Sequence, residues 1–330
     1  MAFSGKSAQS LKSAHARYAA FAAEACGYAF SSLDGEDGYL FEVRDGARRA
    51  VFAAGAGTPY GLNDARAASI ARDKAFSAQV LRLAGVPVLP GEMFFVTRRW
   101  ADMRSPGRER EDAMAYAACA AYPVFCKPID ASNGNFAELI EDADKFADYL
   151  VRVANEHFAI LIQPYVRADE YRVFVLNGRV LFSYRKCAPY VTGDGDSNVR
   201  ALIEAMRADP HEPVRMLHGR DSAGQRVPLA DVPANGQRVW LEGPANRAAG
   251  GGVRALTDGA PEVLTRVAVA AAEALDLRLA AVDMFDLGGD HSNPVVIEVN
   301  SNPMIAALED HGRWDLIETI WRANIAAALK

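Results

Sequence analysis

Val282-Asp283-Met284 and, further along, Val296-Ile297-Glu298-Val299-Asn300-Ser301-Asn302-Pro303 decide how this sequence is read. Each is an apolar run carrying an acid, the pattern of a buried strand with a polar end. Glu298 and Asn300 are two apart, so they project from one face of a strand. With Asp283 opposing them from a neighbouring strand, they form an all-oxygen cluster. That is the donor set hard Mg²⁺ prefers, with nucleotide phosphates and waters completing the octahedron; Mn²⁺ accepts similar ligands. Taken singly, Asp283 and Glu298 also read as ordinary strand-end acids. An acid flanked by apolar strand residues is costly to bury without a cation, however, and candidate cations occur upstream.

Lys127 lies in Pro123-Val-Phe-Cys-Lys-Pro128, a short apolar strand followed by a polar loop. It can point at phosphates beside that loop. Lys74, in Ala71-Arg-Asp-Lys-Ala-Phe76, is a second candidate, with an exposed helix lysine as the alternative. Backbone amides of Ser132-Asn133-Gly134-Asn135 could cradle the β- and γ-phosphates, although one glycine makes this a weak signal. Ile160-Leu-Ile-Gln163-Pro-Tyr-Val166 reads as a buried strand entering a linker whose backbone can hydrogen-bond an adenine edge. Glu170 just beyond can accept from ribose hydroxyls, or is a solvated turn acid.

The surrounding pattern is mixed. Residues 7–27 read as an amphipathic helix, Tyr39–Val43 and Arg49–Ala53 as a hairpin turned by Asp45-Gly46, and Asn63–Ala84 as one helix capped by Gly85. Residues 98–111 read as loop, with helices over Asp112–Ala121 and Asp142–Asn155. Strands are predicted at Tyr171–Leu176 and Arg179–Tyr184 around Asn177-Gly178, then a helix over Asn198–Ala208. Residues 209–235 look like a polar excursion. A strand at Val239–Glu242, a loop over Asn246–Gly252 and a helix over Pro261–Leu275 follow. Ala280–Asp286 and Val295–Asn300 are the last strands, and Trp314–Leu329 the final helix. Intermixed strands and helices with hairpin signals predict an α+β (mixed α/β) fold rather than a βαβ ladder. Neither GxGxxG nor GxxxxGK[ST] is present, which excludes the two commonest nucleotide loops.

With 330 residues, half of them hydrophobic, the chain is long enough for two or three folding units. A net charge of −6 gives no global attraction for nucleic acid or an anionic membrane. The four cysteines lack metal-like spacing and read as reduced thiols, which fits a cytoplasmic protein. No signal peptide or spanning helix is expected, because the alanine-rich stretch over residues 14–30 is broken by His15, Arg17, Glu24 and Gly27.

The order Lys74, Lys127, glycine loop, linker with Glu170, then Asp283, Glu298 and Asn300 resembles the ATP-grasp superfamily over about residues 66–310. A more specific likeness runs through Tyr171-Arg-Val-Phe-Val-Leu-Asn-Gly178, Val191-Thr-Gly-Asp-Gly-Asp-Ser-Asn-Val-Arg200 and Val232-Pro-Ala-Asn-Gly-Gln-Arg-Val-Trp-Leu241. It continues through Ala245-Asn-Arg-Ala-Ala-Gly-Gly251 and Ala281-Val-Asp-Met284. These segments resemble the ATP-grasp domain of cyanophycin synthetases and the glutathione synthetase part of bifunctional glutathione enzymes.

The resemblance implies an ATP-grasp fold, two α+β subdomains sandwiching ATP. Residues 1–65 would be a short N-terminal α/β region and 66–330 the ATP-grasp domain, with a nucleotide lid at about 98–165 and a catalytic subdomain at about 166–330. It implies that Lys74 and Lys127 contact phosphates and the purine, that Ser132 and Gly134 lie in the phosphate loop, that Gln163 and Val166 line the adenine pocket, and that Glu170 holds the ribose. Asp283, Glu298 and Asn300 would hold Mg²⁺. Arg172, Arg185 and Lys186 would lie near the triphosphate or acyl phosphate, Lys186 standing where relatives carry arginine. Asn246, Gly250 and Gly251 would belong to a loop closing over the substrate carboxylate. Departures are Ala131 in place of a glycine, a missing glycine near Phe136, and a short N-terminus. A Mur-ligase-like half is also missing, so a stand-alone ligase making one bond type is expected.

The activity implied is ATP-dependent ligation of a carboxylate to an amine through an acyl phosphate, on amino-acid or small-peptide substrates. A homodimer is the partner state considered, since many relatives are oligomers. Two alternatives stay open: a catalytically degenerate ATP-binding regulator, motivated by Phe136 in the phosphate loop, and a ligase acting on a protein or ribosomal peptide tail.

Overall fold

The computed structural model describes residues 10–55, 57–131, 134–206, 218–223, 225–241 and 252–330. Helix α1 (Ala14–Ala25) starts where the Ser13 side chain accepts from Ala16 N. It is followed by an antiparallel sheet of β1 (Ala29–Ser32), β2 (Leu40–Asp45) and β3 (Arg48–Ala53). Alternation sends Phe41, Val43 and Phe52 inward, where they meet Tyr18 of α1.

The single helix expected over residues 63–84 is two helices, α2 (Ala65–Arg72) and α3 (Lys74–Leu83). Asp73 breaks it. Its backbone is extended (φ −83°, ψ 109°), and its carboxylate accepts from Ala75 N and Phe76 N, capping the second helix. An N-cap of this kind stabilises by about 1 kcal/mol, enough to divide a helix at a compatible site. The break puts Lys74 at the first position of α3, and Lys74 N donates to Ile129 O at 2.9 Å.

The second sheet takes β4 (Glu92–Phe95), then after helix α4 (Arg110–Ala118) the strands β5 (Val124–Pro128) and β6 (Glu138–Ile140). After helix α5 (Ala143–Val153) comes β7 (Ala159–Pro164), giving the order β4-β7-β5-β6. One face packs on α4 and α5 through Phe94, Cys126, Phe146, Leu150, Ile160 and Ile162. The period of two then turns Phe125, Lys127, Leu161 and Gln163 to the opposite face.

The third sheet begins with β8 (Asp169–Leu176) and β9 (Arg179–Cys187). A smaller sheet follows, built from β10 (Tyr190–Thr192), β11 (His218–Arg220), β12 (Arg226–Pro228) and β13 (Arg238–Leu241), with helix α6 (Val199–Met206) between its first two strands. Its order is β10-β13-β11-β12, and Val191, Val239 and Leu241 pack on Val199 and Ile203 of α6. So the excursion expected over residues 209–235 carries two short strands. Gly193 makes room at its turn, because a Cβ there would sit 2.3 Å from Ala234 O.

The chain returns to the third sheet with β14 (Gly252–Asp258), helix α7 (Glu262–Ala274), β15 (Leu279–Asp286) and β16 (Pro294–Asn300). The order is β14-β9-β8-β15-β16, antiparallel throughout. Helices α8 (Ala306–Asp310) and α9 (Trp314–Ala328) close the chain. One face of this sheet packs on α7 through Val173, Val175, Ala280, Val282 and Met284. The other is apolar at one end, where Phe174, Phe182, Leu279 and Ala281 join α1, α9 and the N-terminal sheet in a single core around Trp321. Residues 10–55 are therefore packed into the core of the third sheet rather than standing apart.

His15 lies inside that core against the rings of Tyr18, Tyr60 and Trp321, and its Nε2 has no partner among the described residues. Burial pushes its pKa down from 6.5 to about 4. A histidine held neutral contributes stability fully above its unfolded pKa, and that contribution is lost as pH falls from 6.5 towards 4. Urea unfolding of the wild type should therefore lose about 3 kcal/mol more than that of His15→Phe between about pH 7 and about pH 4. Equal losses in both proteins would show that His15 is solvated.

Candidate active site

The face of the third sheet that is apolar at one end becomes ionic at the other. Phe174, Arg172 and Glu170 alternate along β8, Tyr184 and Lys186 along β9, Ala281 and Asp283 along β15. The register pairs Asp283 with Arg172 on one side and with Glu298 on the other, and Ala281 with Asn300. Asp283 is buried (3% exposed) and held by a bidentate arginine: Arg172 Nε donates to Oδ1 and Nη2 to Oδ2, both at 2.7 Å. Lys186 Nζ donates to the same Oδ2 at 2.9 Å and to Glu170 Oε1 at 2.5 Å, while Asn300 Nδ2 reaches Oδ2 at 3.3 Å. Burial opposes ionisation of Asp283, but Arg172 and Lys186 outweigh it and hold the carboxyl well below the usual range. In return, Asp283 and Glu170 raise Lys186 against the burial that would lower it.

Lys74 and Lys127 approach from the other side. Lys74 is no exposed helix lysine: its side chain is 11% accessible, and Nζ donates to Ala131 O at 2.6 Å and lies 3.7 Å from Glu298 Oε2. Lys127 on β5 is buried without a hydrogen-bond or ion-pair partner among the described residues. Desolvation pushes it down to about 8, against the attraction of Glu298. Glu298 is itself lowered, burial notwithstanding, by Lys74 and Lys127. Gln163 on β7 is 3% exposed; its Nε2 donates to Leu89 O, and its Oε1 has no partner among the described residues.

These groups enclose a cavity of about 1000 Å³. Of the residues singled out in the sequence, Lys74, Lys127, Gly134, Gln163, Val166, Glu170, Arg172, Arg185, Lys186, Asp283 and Glu298 line it. Asn300 stands behind Asp283. Arg185 is at the rim, half exposed and ion-paired with Asp169. Ser132, Asn246, Gly250 and Gly251 lie outside the described residues. Sequence reasoning missed a further group of lining residues: Tyr190, Met206, Trp240 and Arg254. The likeness to relatives ran through the segment holding Trp240 without marking it, and another of its segments began one residue after Tyr190. The only local signal of these two is an aromatic residue at the polar-facing position of a short strand.

The donor chemistry can be tested against a nucleotide and a metal. Among the described residues, seven cations and four acids line the cavity, a positive excess in a chain of charge −6. Lys127, which makes no hydrogen bond or ion pair among the described residues, and the orphaned Gln163 Oε1 are the kind of buried groups a bound ligand satisfies, here a phosphate oxygen and an amino group. A nucleoside triphosphate fits on both counts. Among the described residues no cluster of three or more His, Cys, Asp or Glu forms. The hard donors are two carboxylates and one amide, which suit Mg²⁺. Asp283 already accepts from Arg172, Lys186 and Asn300, so a metal would share its oxygens with those donors.

No family model matches the chain. Curated relatives do, two of them as follows. The bifunctional glutathione biosynthesis protein GshAB of Desulfotalea psychrophila is 24% identical over 297 residues, covering 84% of this chain and 36% of that protein. The cyanophycin synthetase of Geminocystis herdmanii is 26% identical over 254 residues, 71% of this chain and 28% of that protein. The resemblance to ATP-grasp ligases holds over most of the chain. The chain spans about a third of the length of these relatives. Among solved structures, the D-alanine–D-alanine ligase of Bacillus anthracis aligns with a TM-score of 0.47 at 15% identity, over 78% of this chain and 68% of that one. Among the described residues, no helix is long and apolar enough to cross a membrane.

The ionic cluster can be tested without any ligand. Removing one partner of a buried pair strands a charge, at a cost of about 3–5 kcal/mol. Because Lys186 remains, Arg172→Leu should cost about 3 kcal/mol in urea unfolding at neutral pH. The double variant Arg172→Leu/Asp283→Leu should recover most of that. A double variant no more stable than the single one would mean that Asp283 is not paired as described.

Proposed function

We propose that this chain is an ATP-dependent carboxylate–amine ligase that forms an amide or peptide bond between amino-acid or small-peptide substrates through an acyl phosphate. One observation carries the reading: two carboxylates, an amide and four cations from separate sheets and α3 converge on one cavity. Residues 66–330 are taken as the ATP-grasp domain, with about 98–165 as the nucleotide lid and about 166–330 as the catalytic part. Residues 1–65 are taken as the short N-terminal region.

In this reading the triphosphate lies between Lys74 and Lys127, with the purine near Gln163 and Val166 and the ribose at Glu170. Asp283, Glu298 and Asn300 would hold Mg²⁺, which neutralises phosphate charge when bound. The substrate carboxylate oxygen attacks the γ-phosphorus in line as the bond to the ADP oxygen breaks. Arg172 and Lys186 stabilise charge on the transferring group. The amine nitrogen then attacks the acyl carbon, and the tetrahedral intermediate collapses as the bond to the phosphate oxygen breaks. Phosphate leaves with that electron pair and takes up the proton lost by the amine. Exclusion of water would protect the acyl phosphate from hydrolysis. Ser132 and Gly134 are assigned to the phosphate loop, Arg185 to the rim of the acyl-phosphate site, and Asn246, Gly250 and Gly251 to a loop over the substrate carboxylate. A homodimer in the cytoplasm belongs to the same reading.

A non-catalytic nucleotide sensor has one observation in its favour, the sealing of Asp283 by Arg172 and Lys186. Turnover separates the two. With Mg-ATP and a panel of amino acids and short peptides, amine-dependent ADP release is expected from the wild type. Asp283→Asn and Glu298→Gln should each abolish it, and full turnover by both would remove the metal assignment. Lys127 supplies a second readout. Because its pKa in the free protein is about 8 and a phosphate favours its charged form, affinity for a non-hydrolysable ATP analogue should fall about tenfold per pH unit above that value. Lys127→Met should bind weakly with no such slope, and an unchanged slope would place Lys127 away from the nucleotide.

A further inference from the structure

The cavity has a second half that the nucleotide and its metal do not account for. It is built on the smaller sheet. Tyr190 and Trp240 are a direct cross-strand pair, their ring centroids 6.2 Å apart, and Met206 stands beside them at the end of α6. Tyr190 and Met206 are 39% and 42% exposed, unusual for large apolar side chains that line a concavity rather than a core. The other face of the same sheet is already satisfied, since Val191, Val239 and Leu241 pack on α6. The aromatic pair thus faces the cavity and nothing else.

Charge in this half is one-sided. Every acid among the described lining residues, Asp169, Glu170, Asp283 and Glu298, comes from β8, β15 or β16. Arg254 on β14 lines the cavity without an ion pair among the described residues. Arg238 lies 5.0 Å from the Tyr190 ring with no carboxylate partner among the described residues, buttressing that ring from outside the cavity. Flat apolar groups gain from stacking on Tyr and Trp faces, and a thioether adapts to their outline. An unpaired guanidinium selects a carboxylate. A substrate ammonium or guanidinium side chain would meet no counterion here and would lose its hydration.

We propose that this half is the specificity subsite, and that it takes an amino acid, or the terminal residue of a peptide, with an aromatic side chain lodged between Tyr190, Trp240 and Met206 and a carboxylate on Arg254. This rests on the ligase reading for its chemistry but not for its binding. The cavity volume, at the upper end of the range for a single small-molecule site, leaves room for a second ligand beside a nucleotide.

The test has two arms. In the first, phosphate release with Mg-ATP is compared across phenylalanine, tyrosine, tryptophan, glutamate, lysine and arginine, offered singly, in pairs and as short peptides. Substrates with an aromatic residue should show kcat/KM at least about tenfold above their lysine or arginine counterparts, about 1.4 kcal/mol of discrimination. Trp240→Ala should raise KM for the aromatic substrate about tenfold with kcat little changed, Trp240→Phe should restore most of it, and Arg254→Gln should raise KM for every carboxylate. In the second arm, calorimetry measures binding of N-acetylphenylalanine and N-acetyllysine without ATP. Should no pair release phosphate while N-acetylphenylalanine binds wild type and not Trp240→Ala, the subsite stands and the ligase reading falls. Preference for glutamate or lysine unaffected by Trp240→Ala would overturn the proposal. So would loss of ATP-analogue affinity in Trp240→Ala with acceptor KM unchanged, since the ring would then serve the nucleotide.

Discussion

Asp283 is a carboxylate buried in the middle of a sheet, and burial on those terms requires charge of opposite sign at hydrogen-bonding distance. The chain meets this with Arg172 on the adjacent strand, bidentate at 2.7 Å, and Lys186 one strand further away at 2.9 Å. Both cations can reach it only because β15, β8 and β9 are neighbours in register, with Asp283 opposite Arg172. The sheet order is thus tied to the ionic cluster. It is also tied to the core, because the same face carries Phe174, Phe182 and Ala281 one or two alternations away. Shifting one strand by a single residue would turn its ions and aromatics onto the face packed by α7 and bring its aliphatic side chains round to the cavity and the N-terminal core.

The same period of two explains what could be read from the sequence. Glu298 and Asn300 on one strand face, Asp283 opposite them, and Lys127 turned away from the core-facing Cys126 all follow from alternation. The strands carrying them are long and strongly apolar, hence visible. Less visible were elements held by their surroundings. Strand β14 reads Gly-Val-Arg-Ala-Leu-Thr-Asp, with Ala255 at φ 49° and a register shift between Arg254 and Thr257, so its alternation is broken where it pairs with β9. Strands β11 and β12 have three residues each and exist only as partners of β13 and of each other. The division of the 63–84 helix rested on a single capping aspartate, legible in principle at Asp73 but hidden inside a continuous helical pattern.

Site residues were legible where function demands an unusual residue in an apolar strand. They were invisible where it demands an ordinary one in an unusual place. An acid or lysine inside a hydrophobic run stands out; Tyr190 and Trp240 in short strands do not. Only the pairing of β10 with β13, together with the occupation of the opposite face by α6, shows that those rings have nowhere to point but the cavity. Ion-pair partners were equally hidden: Lys186 and Arg172 are candidate phosphate ligands in sequence, whereas the structure shows what they hold.

Three sheets contribute three kinds of chemistry to one volume. The central sheet gives acids already neutralised by cations, the second gives Lys127 and Gln163 with valences to spare, and the smaller sheet gives aromatic surface. Lys127 is the clearest sign of what this costs. A buried ammonium facing Lys74, with Glu298 as its main compensation, sits in an environment that disfavours its charge. Its desolvation is met during folding rather than during binding, so an entering anion gains the full attraction with little reorganisation. Such placement needs rigid support, and strands pinned on both sides supply it better than loops do.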